Sequence, residues 1–173
     1  AIGHAIAIGS LRYFLLKFTR GTIIAFDFKD ALSFEGETGP YVQYAVVRAR
    51  NIFRRVSEQE PQFSLEHLAE TADAKTAQRL LAAPEGNDLW ELSLLAGSLG
   101  AQMEAAASAH EPAFIAKYAF QLAQQFNLFY HKHHILSEED RSKRNFLLLL
   151  SALVEKQLVT ALELLGVEAP EKM

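Results

Sequence analysis

The chain contains no cysteine, which excludes disulfide bonds and cysteine-ligated zinc. It also lacks a long hydrophobic run, because its longest strongly apolar stretch, residues 146–154, is far too short to span a bilayer. No secretory signal or transit sequence is apparent in the sequence. We therefore expect a cytoplasmic protein that does not enter a membrane.

The usual catalytic patterns are missing as well. The glycines fit no phosphate-binding spacing, and no Ser-His-Asp grouping is suggested by the order of the residues. Glu35 and Glu37 form an acidic pair, but nothing nearby supplies a nucleophile or an oxyanion hole. These two carboxylates are better explained by a role in stabilising a loop or a helix start. The sequence shows no complete active site.

Histidines at positions 131–134 surround Lys132 and raise the question of a metal site. Imidazole is a common metal ligand, but no carboxylate lies at metal-binding spacing nearby, and Lys132 would repel a cation. We expect no metal site here. A basic, aromatic helix end that contacts helix-terminal carbonyls or phosphate is the better interpretation.

The net charge of −4 argues weakly against a nucleic-acid-binding protein. However, the basic residues are clustered, and local clusters matter more for such binding than the total charge. They group as Arg48, Arg50, Arg54 and Arg55, as the histidine-rich residues 131–134, and as Arg141, Lys143 and Arg144. The charge therefore leaves nucleic-acid binding open.

Half of the 173 residues are hydrophobic, and their spacing is mostly helical. The pattern predicts helices over residues 1–18, 40–56, 71–82 and 89–107, another that begins at Pro112, and a last one from Ser137 or Asp140 to residue 165. The 89–107 helix is predicted to bury Trp90, Leu94, Leu95, Leu99 and Met103. Alternating residues 23–28 predict one short strand. The fold class is therefore mainly α, a helical bundle with a short β segment near the N-terminus.

Residues 34–45, FEGETGPYVQYA, form the most informative stretch. Gly36 and Gly39 allow the backbone to turn, and Pro40 suits the first turn of a helix. One face of that helix then carries Tyr41, Tyr44, Arg48, Asn51 and Arg55, and the other face is apolar. Such a face fits single-stranded nucleic acid, since tyrosines stack on bases and arginines bind phosphates. An ordinary solvated helix face explains the same pattern, so both interpretations stay open.

Several separated segments together resemble the C-terminal part of the arginyl-tRNA synthetases, which are class I enzymes. They are residues 5–16, 26–28, 32–45, 127–131 and 165–173. The resemblance implies a helical anticodon-binding domain of the type named for a D-A-L-R signature. It divides the chain into residues 1–39, the tail of the catalytic region with a linking segment, and residues 40–173, the anticodon-binding domain.

The resemblance also implies a function and a site. The family attaches arginine to its tRNA with ATP and magnesium, but its HIGH-like and KMSKS-like motifs are absent here, so this chain alone should be inactive and bind no cofactor. The implied partners are the anticodon loop of arginine tRNA, with its middle cytosine, and a catalytic domain in cis, with the protein a monomer. The alternative is a non-catalytic helical protein-interaction domain. The implied tRNA contacts are Tyr41, Gln43, Tyr44, Arg48, Arg55, Asn127, Tyr130 and Met173.

Overall fold

The computed structural model describes residues 2–173, apart from the side chain at position 85, so Ala1 of the predicted first helix lies outside the described residues. Regular structure in this part of the chain is helical. The helices are α1 Ile2–Leu16, α2 Phe28–Ala31, α3 Gly39–Gln59, α4 Leu65–Glu70, α5 Ala74–Ala82, α6 Asn87–Gly97, α7 Leu99–Ala109, α8 Ala113–Lys132 and α9 Arg141–Leu164. Single 3₁₀ turns cover Pro84–Gly86 and Ile135–Ser137.

Two of the long helices, α3 and α9, follow residues whose side chains accept hydrogen bonds from free backbone N–H groups. Thr38 caps α3 by accepting from the backbone N–H of Tyr41, with Pro40 in the first turn. Asp140 caps α9 by accepting from the N–H groups of Ser142 and Lys143. These caps confirm a helix start beside Pro40, and they choose Asp140 rather than Ser137 as the residue that precedes the last helix.

Helices α3, α8 and α9 pack on one another and enclose the core. The helix that begins near Pro112 is α8, and its apolar residues at helical spacing are buried: Ile115, Tyr118, Ala119, Leu122, Phe126 and Phe129. At the end of α9, Gly166 has a φ of +66°, the left-handed conformation expected of a C-terminal helix cap. The predicted helical bundle is therefore confirmed.

Helix α1 approaches α3 so closely that both helices need glycine at the contact. A Cβ atom on Gly39 would lie 2.9 Å from the carbonyl oxygen of Gly9, and one on Gly9 would lie 2.7 Å from Nε2 of Gln43. Gly36 has the positive φ, +76°, that turns the loop, whereas Gly39 lies inside the first turn of α3. The sequence therefore misassigned Gly39, whose task is close packing rather than turning.

Replacing Gly39 with alanine is expected to lower the free energy of unfolding by about 1–3 kcal/mol, because the added methyl group meets backbone atoms of α1. Urea denaturation followed by circular dichroism measures this loss. Gly100→Ala is the control, since a Cβ there has no neighbour within 4 Å, and its free energy of unfolding should be unchanged or slightly higher. Equal stability of the two variants would contradict the close contact.

The predicted strand at residues 23–28 is wrong. Residues 22–27 have no regular secondary structure, and Phe28 begins α2. The side chain of Ile23 is 97% exposed, and no strand is found in the described residues to pair with this segment. Locally, the carboxylate of Asp27 accepts from the N–H groups of Lys29 and Asp30, which starts a helix instead.

The single helix predicted over residues 89–107 is also wrong in two respects. The chain breaks at Ser98 into α6 and α7. Of the predicted apolar face, Trp90, Leu94 and Met103 are exposed and Leu99 is buried as predicted. The buried residues of α6 are Leu89, Leu92 and Ala96, which the prediction left out. Small Ala96 allows α8 to come close, and its carbonyl accepts a hydrogen bond of 3.3 Å from Tyr118. Burial raises the pKa of the Tyr118 hydroxyl to about 12.

Candidate nucleic-acid interface

A cleft of about 380 Å³ lies between α3, the C-terminal end of α8 and the turn that follows α8. We call it the α3–α8 cleft, and the segment of residues 133–137 that forms part of its wall the 133–137 turn. Because Ile52 and Ile135 are buried, the cleft has an apolar floor below polar and aromatic side chains. Its lining residues are Tyr44, Arg48, Asn51, Ile52, Arg55, Tyr130, His133, His134, Ile135, Leu136 and Ser137.

Arg48 lines the cleft between two tyrosines. Its guanidinium carbon lies 5.0 Å from the ring centroid of Tyr44 on α3 and 4.9 Å from that of Tyr130 on α8. At these distances each ring attracts the cation. Nη1 of Arg48 also lies 3.3 Å from Nε2 of His131. The arrangement places two aromatic rings and a planar cation within reach of one ligand base.

Arg55 lies two helical turns beyond Arg48 and is exposed at the edge of the same cleft. Among the described side chains, neither arginine has a carboxylate within 4.0 Å, whereas Arg54 on the neighbouring face forms an ion pair with Glu58 at 3.0 Å. Two positive charges on the cleft side of α3 are therefore available to an anion. A row of this kind suits consecutive phosphates of a nucleic-acid strand.

Asp88, in the first turn of α6, forms hydrogen bonds with two residues at the C-terminal end of α8. Its two carboxylate oxygens lie 2.7 Å from Nζ of Lys132 and 2.7 Å from Nε2 of His133. Burial by itself raises the pKa of the Asp88 carboxyl, but the hydrogen bonds and positive charges of Lys132 and His133 outweigh burial and hold that pKa below its usual value. Asp88 is therefore ionised at neutral pH.

Gln43 does not lie on this surface. Its side chain is fully buried, and its Nε2 donates to the backbone carbonyl oxygen of Glu168 at 2.7 Å and to that of Ala5 at 3.4 Å. Gln43 thus joins α1, α3 and the segment after α9. Tyr41 is half-buried, and its ring packs on Phe120 with centroids 5.4 Å apart, so it faces away from the cleft lining.

Asn127 and Met173 are not part of the cleft lining either. Asn127 lies on α8 one turn before Tyr130, and its buried Oδ1 has no hydrogen-bond partner among the described atoms. Met173 is 37% exposed at the end of a segment that Arg50 holds, with Nη1 3.0 Å from the carbonyl oxygens of Ala169 and Pro170. The structure thus brings together Tyr44, Arg48, Arg55 and Tyr130, and it leaves the other four predicted residues outside the cleft.

Side chains hold the acidic loop before α3 by donating hydrogen bonds to its backbone carbonyl oxygens, and the carboxylates of Glu35 and Glu37 take no part in these bonds. Nζ of Lys17 donates to the carbonyl oxygen of Glu37 at 2.8 Å, and the hydroxyl of Thr38 donates to the carbonyl oxygen of Ser33 at 2.6 Å.

Within residues 2–173, position 85 aside, no three His, Asp or Glu side chains are grouped so that they could hold a metal ion. No helix in the described chain is long and apolar enough to cross a membrane.

The sequence missed the 133–137 turn as a wall of the cleft. The histidine-rich pattern pointed to a basic helix end, but it gave no sign that Ile135, Leu136 and Ser137 line the same cleft as Tyr44 and Arg48. The partner of His133 was missed too, because Asp88 is 45 residues away in the chain. No local pattern could have found either feature.

Comparison with known proteins identifies relatives over nearly the whole chain. Residues 42–173 match the model of the DALR anticodon binding domain. The chain is 38% identical over 176 residues to an arginine–tRNA ligase of Streptococcus uberis and 33% identical to one of Parabacteroides distasonis, and these matches cover 99% of the chain. It spans only 27% of the length of either relative. An arginyl-tRNA synthetase of Thermus thermophilus superposes with a TM-score of 0.80 at 30% identity, over 98% of this chain and 27% of that one.

Proposed function

Because the chain belongs to the DALR anticodon-binding domain family, and so to tRNA-binding domains, we propose that it binds the anticodon loop of arginine tRNA through the α3–α8 cleft. The observation that carries the proposal is the position of Arg48 between the rings of Tyr44 and Tyr130. Unpaired bases stack on such rings, and each stack contributes about 1–3 kcal/mol. Arg55 extends the positive charge along the path of the loop phosphates.

The chain serves as the tRNA-recognition part of a longer arginine–tRNA ligase that uses ATP and magnesium, acts as a monomer and works in the cytoplasm. Its relatives of that name are nearly four times as long, and no catalytic motif is found in this sequence. Residues 1–39 are the tail of the catalytic region and its link to the bundle. Exposed apolar side chains of this segment support that assignment, because they are suited to contact a catalytic domain in cis: Leu11, Leu15, Ile23, Phe28, Leu32 and Phe34.

Binding of RNA stem-loops tests the proposal. Fluorescence anisotropy compares the anticodon stem-loop of arginine tRNA with a stem-loop in which the middle cytosine of the anticodon is replaced. We expect tighter binding of the arginine sequence at moderate salt. Equal binding of both, or no binding of either, would contradict the proposal and would favour a helical protein-interaction domain instead. ATP–pyrophosphate exchange by this chain alone is expected to be absent.

Replacing Arg55 with alanine is expected to flatten the salt dependence of stem-loop binding by about one unit of log Kd per log salt concentration, because one phosphate contact is lost. Titrations at four salt concentrations measure the slope. Arg54→Ala is a matched control, since this neighbouring arginine is paired with Glu58 and lies outside the cleft lining. A slope that changes equally in both variants would remove Arg55 from the interface.

A further inference from the structure

We infer that Asp88 is a positioning residue for anticodon recognition: it holds the 133–137 turn in place so that the cleft discriminates between bases. The inference rests on the proposed function and deepens it. Asp88 is not part of the cleft lining, so it acts through His133, which is. It belongs to α6, a helix that contributes no residue to the cleft.

The contact between Asp88 and His133 is short and largely shielded from solvent on the His133 side. His133 directly follows the last residue of α8 and caps the C-terminal end of that helix, and its side chain is only 10% exposed. One side of the imidazole packs on Phe129, with centroids 5.2 Å apart, and Nε2 meets the Asp88 carboxylate at 2.7 Å. The ring is thus fixed by an apolar neighbour and by a charged hydrogen bond, the stronger class of hydrogen bond.

Fixing His133 fixes the turn that begins there. The backbone N–H of His133 donates to the carbonyl oxygen of Phe129 at 2.9 Å, and its own carbonyl oxygen accepts from the N–H of Ile135 at 3.0 Å. The N–H of Ser137 in turn donates to the carbonyl oxygen of His134 at 3.1 Å. A displacement of His133 therefore moves the whole wall of the cleft that these residues form.

This wall supplies what the rings and arginines of the cleft lack. Stacking on Tyr44 or Tyr130 tolerates any base, and phosphate contacts read no sequence. Sequence discrimination in single-stranded RNA comes from hydrogen bonds to the edges of the bases. The 133–137 turn places such a group in the cleft lining, the hydroxyl of Ser137, which donates to the carbonyl oxygen of His134 at 3.4 Å and whose oxygen can still accept from a base. Its position therefore sets base preference.

The experiment measures the affinities of two RNA stem-loops, one with the arginine anticodon and one with its middle cytosine replaced, for the wild-type chain and for Asp88→Asn. Loss of the charged hydrogen bond is expected to weaken binding of the arginine loop about ten-fold. The affinity for the altered loop should stay the same, so that discrimination falls by the same factor. A residue that only stabilises the fold would lower both affinities together.

Two controls separate the possible explanations. Lys132→Met removes the other ion-pair partner of Asp88. Lys132 is outside the cleft lining, so this variant should discriminate between the two stem-loops as the wild-type chain does. Glu111→Gln removes an ion-paired carboxylate at the opposite end of α8, bound to Arg20 at 3.0 Å, and should also leave discrimination unchanged. If Asp88→Asn discriminates between the stem-loops as well as the wild-type chain does, or loses the same affinity for both, the inference about Asp88 is wrong and the proposed function is unaffected. Absence of discrimination in the wild-type chain overturns the proposed function as well.

Discussion

Replacing Tyr44 with alanine should weaken binding of the arginine anticodon stem-loop by about 1–3 kcal/mol, a 5- to 150-fold rise in Kd. The ring is 41% exposed at the cleft and lies over the guanidinium of Arg48, so a base entering there finds a ready stacking surface. Removing the ring deletes this surface and frees Arg48 on one side. Fluorescence anisotropy with the purified chain measures the change.

The same substitution should have little effect on stability, because Tyr44 is not part of the buried core. Tyr44→Phe keeps the ring and removes only the hydroxyl, so it should retain most of the affinity if stacking dominates. A Tyr44→Phe variant as weak as Tyr44→Ala would show that the hydroxyl, rather than the ring, makes the contact. Unchanged binding in Tyr44→Ala would place the anticodon loop elsewhere.

Phe126→Ala is expected to have the largest effect on stability, about 3–5 kcal/mol of the free energy of unfolding. Phe126 is fully buried on α8, and its ring centroid lies 5.9 Å from that of Phe129 and 6.4 Å from that of Tyr130. Its removal leaves a cavity where α8 packs on the core. Because domains are typically stable by only about 5–15 kcal/mol, the loss is a large part of the total. Urea denaturation followed by circular dichroism gives the value.

Leu128→Ala is the control for this experiment. Leu128 lies on the same helix two residues further on, but it is 63% exposed, so its removal should change the free energy of unfolding by less than about 0.5 kcal/mol. Both substitutions exchange a large apolar side chain for alanine in a helix. A similar loss of stability in both would contradict the packing of α8 described above.

Helix α8 was predictable from the sequence because one set of its apolar residues recurs at helical spacing and faces the core: Ile115, Tyr118, Ala119, Leu122, Phe126 and Phe129. The same rule failed for α6, where two apolar rows are present and only packing selects one of them. The row of Leu92 and Ala96 lies against the bundle, and Trp90 and Leu94 are left in solvent. Periodicity identifies a helix, but it does not say which of two apolar faces meets a neighbour.

The candidate site also has one part that residue spacing predicts and another part that it does not. Tyr44, Arg48 and Arg55 share a face of α3, and spacing alone predicts this. Their proximity to Tyr130 depends on how α8 is rotated relative to α3, and periodicity does not predict this rotation. Tyr130 was included in the site only because of the resemblance to a family. Gln43 shows the limit of both approaches, because its partner Glu168 lies 125 residues away. A polar residue between two tyrosines looks like part of a surface until its distant partner is known.

The fastening of the segment after α9 has a consequence for how the domain forms during synthesis. Gln43, Arg50 and Arg12 donate to backbone carbonyls at residues 166–170. The ribosome adds these acceptors more than 100 residues after the donors. The side-chain amide of Gln43 therefore lacks its nearest hydrogen-bond partner while the helices emerge from the ribosome. Final closure of the bundle thus requires that residues 166–170 have been synthesised, and it joins parts of the chain made at opposite ends of that interval.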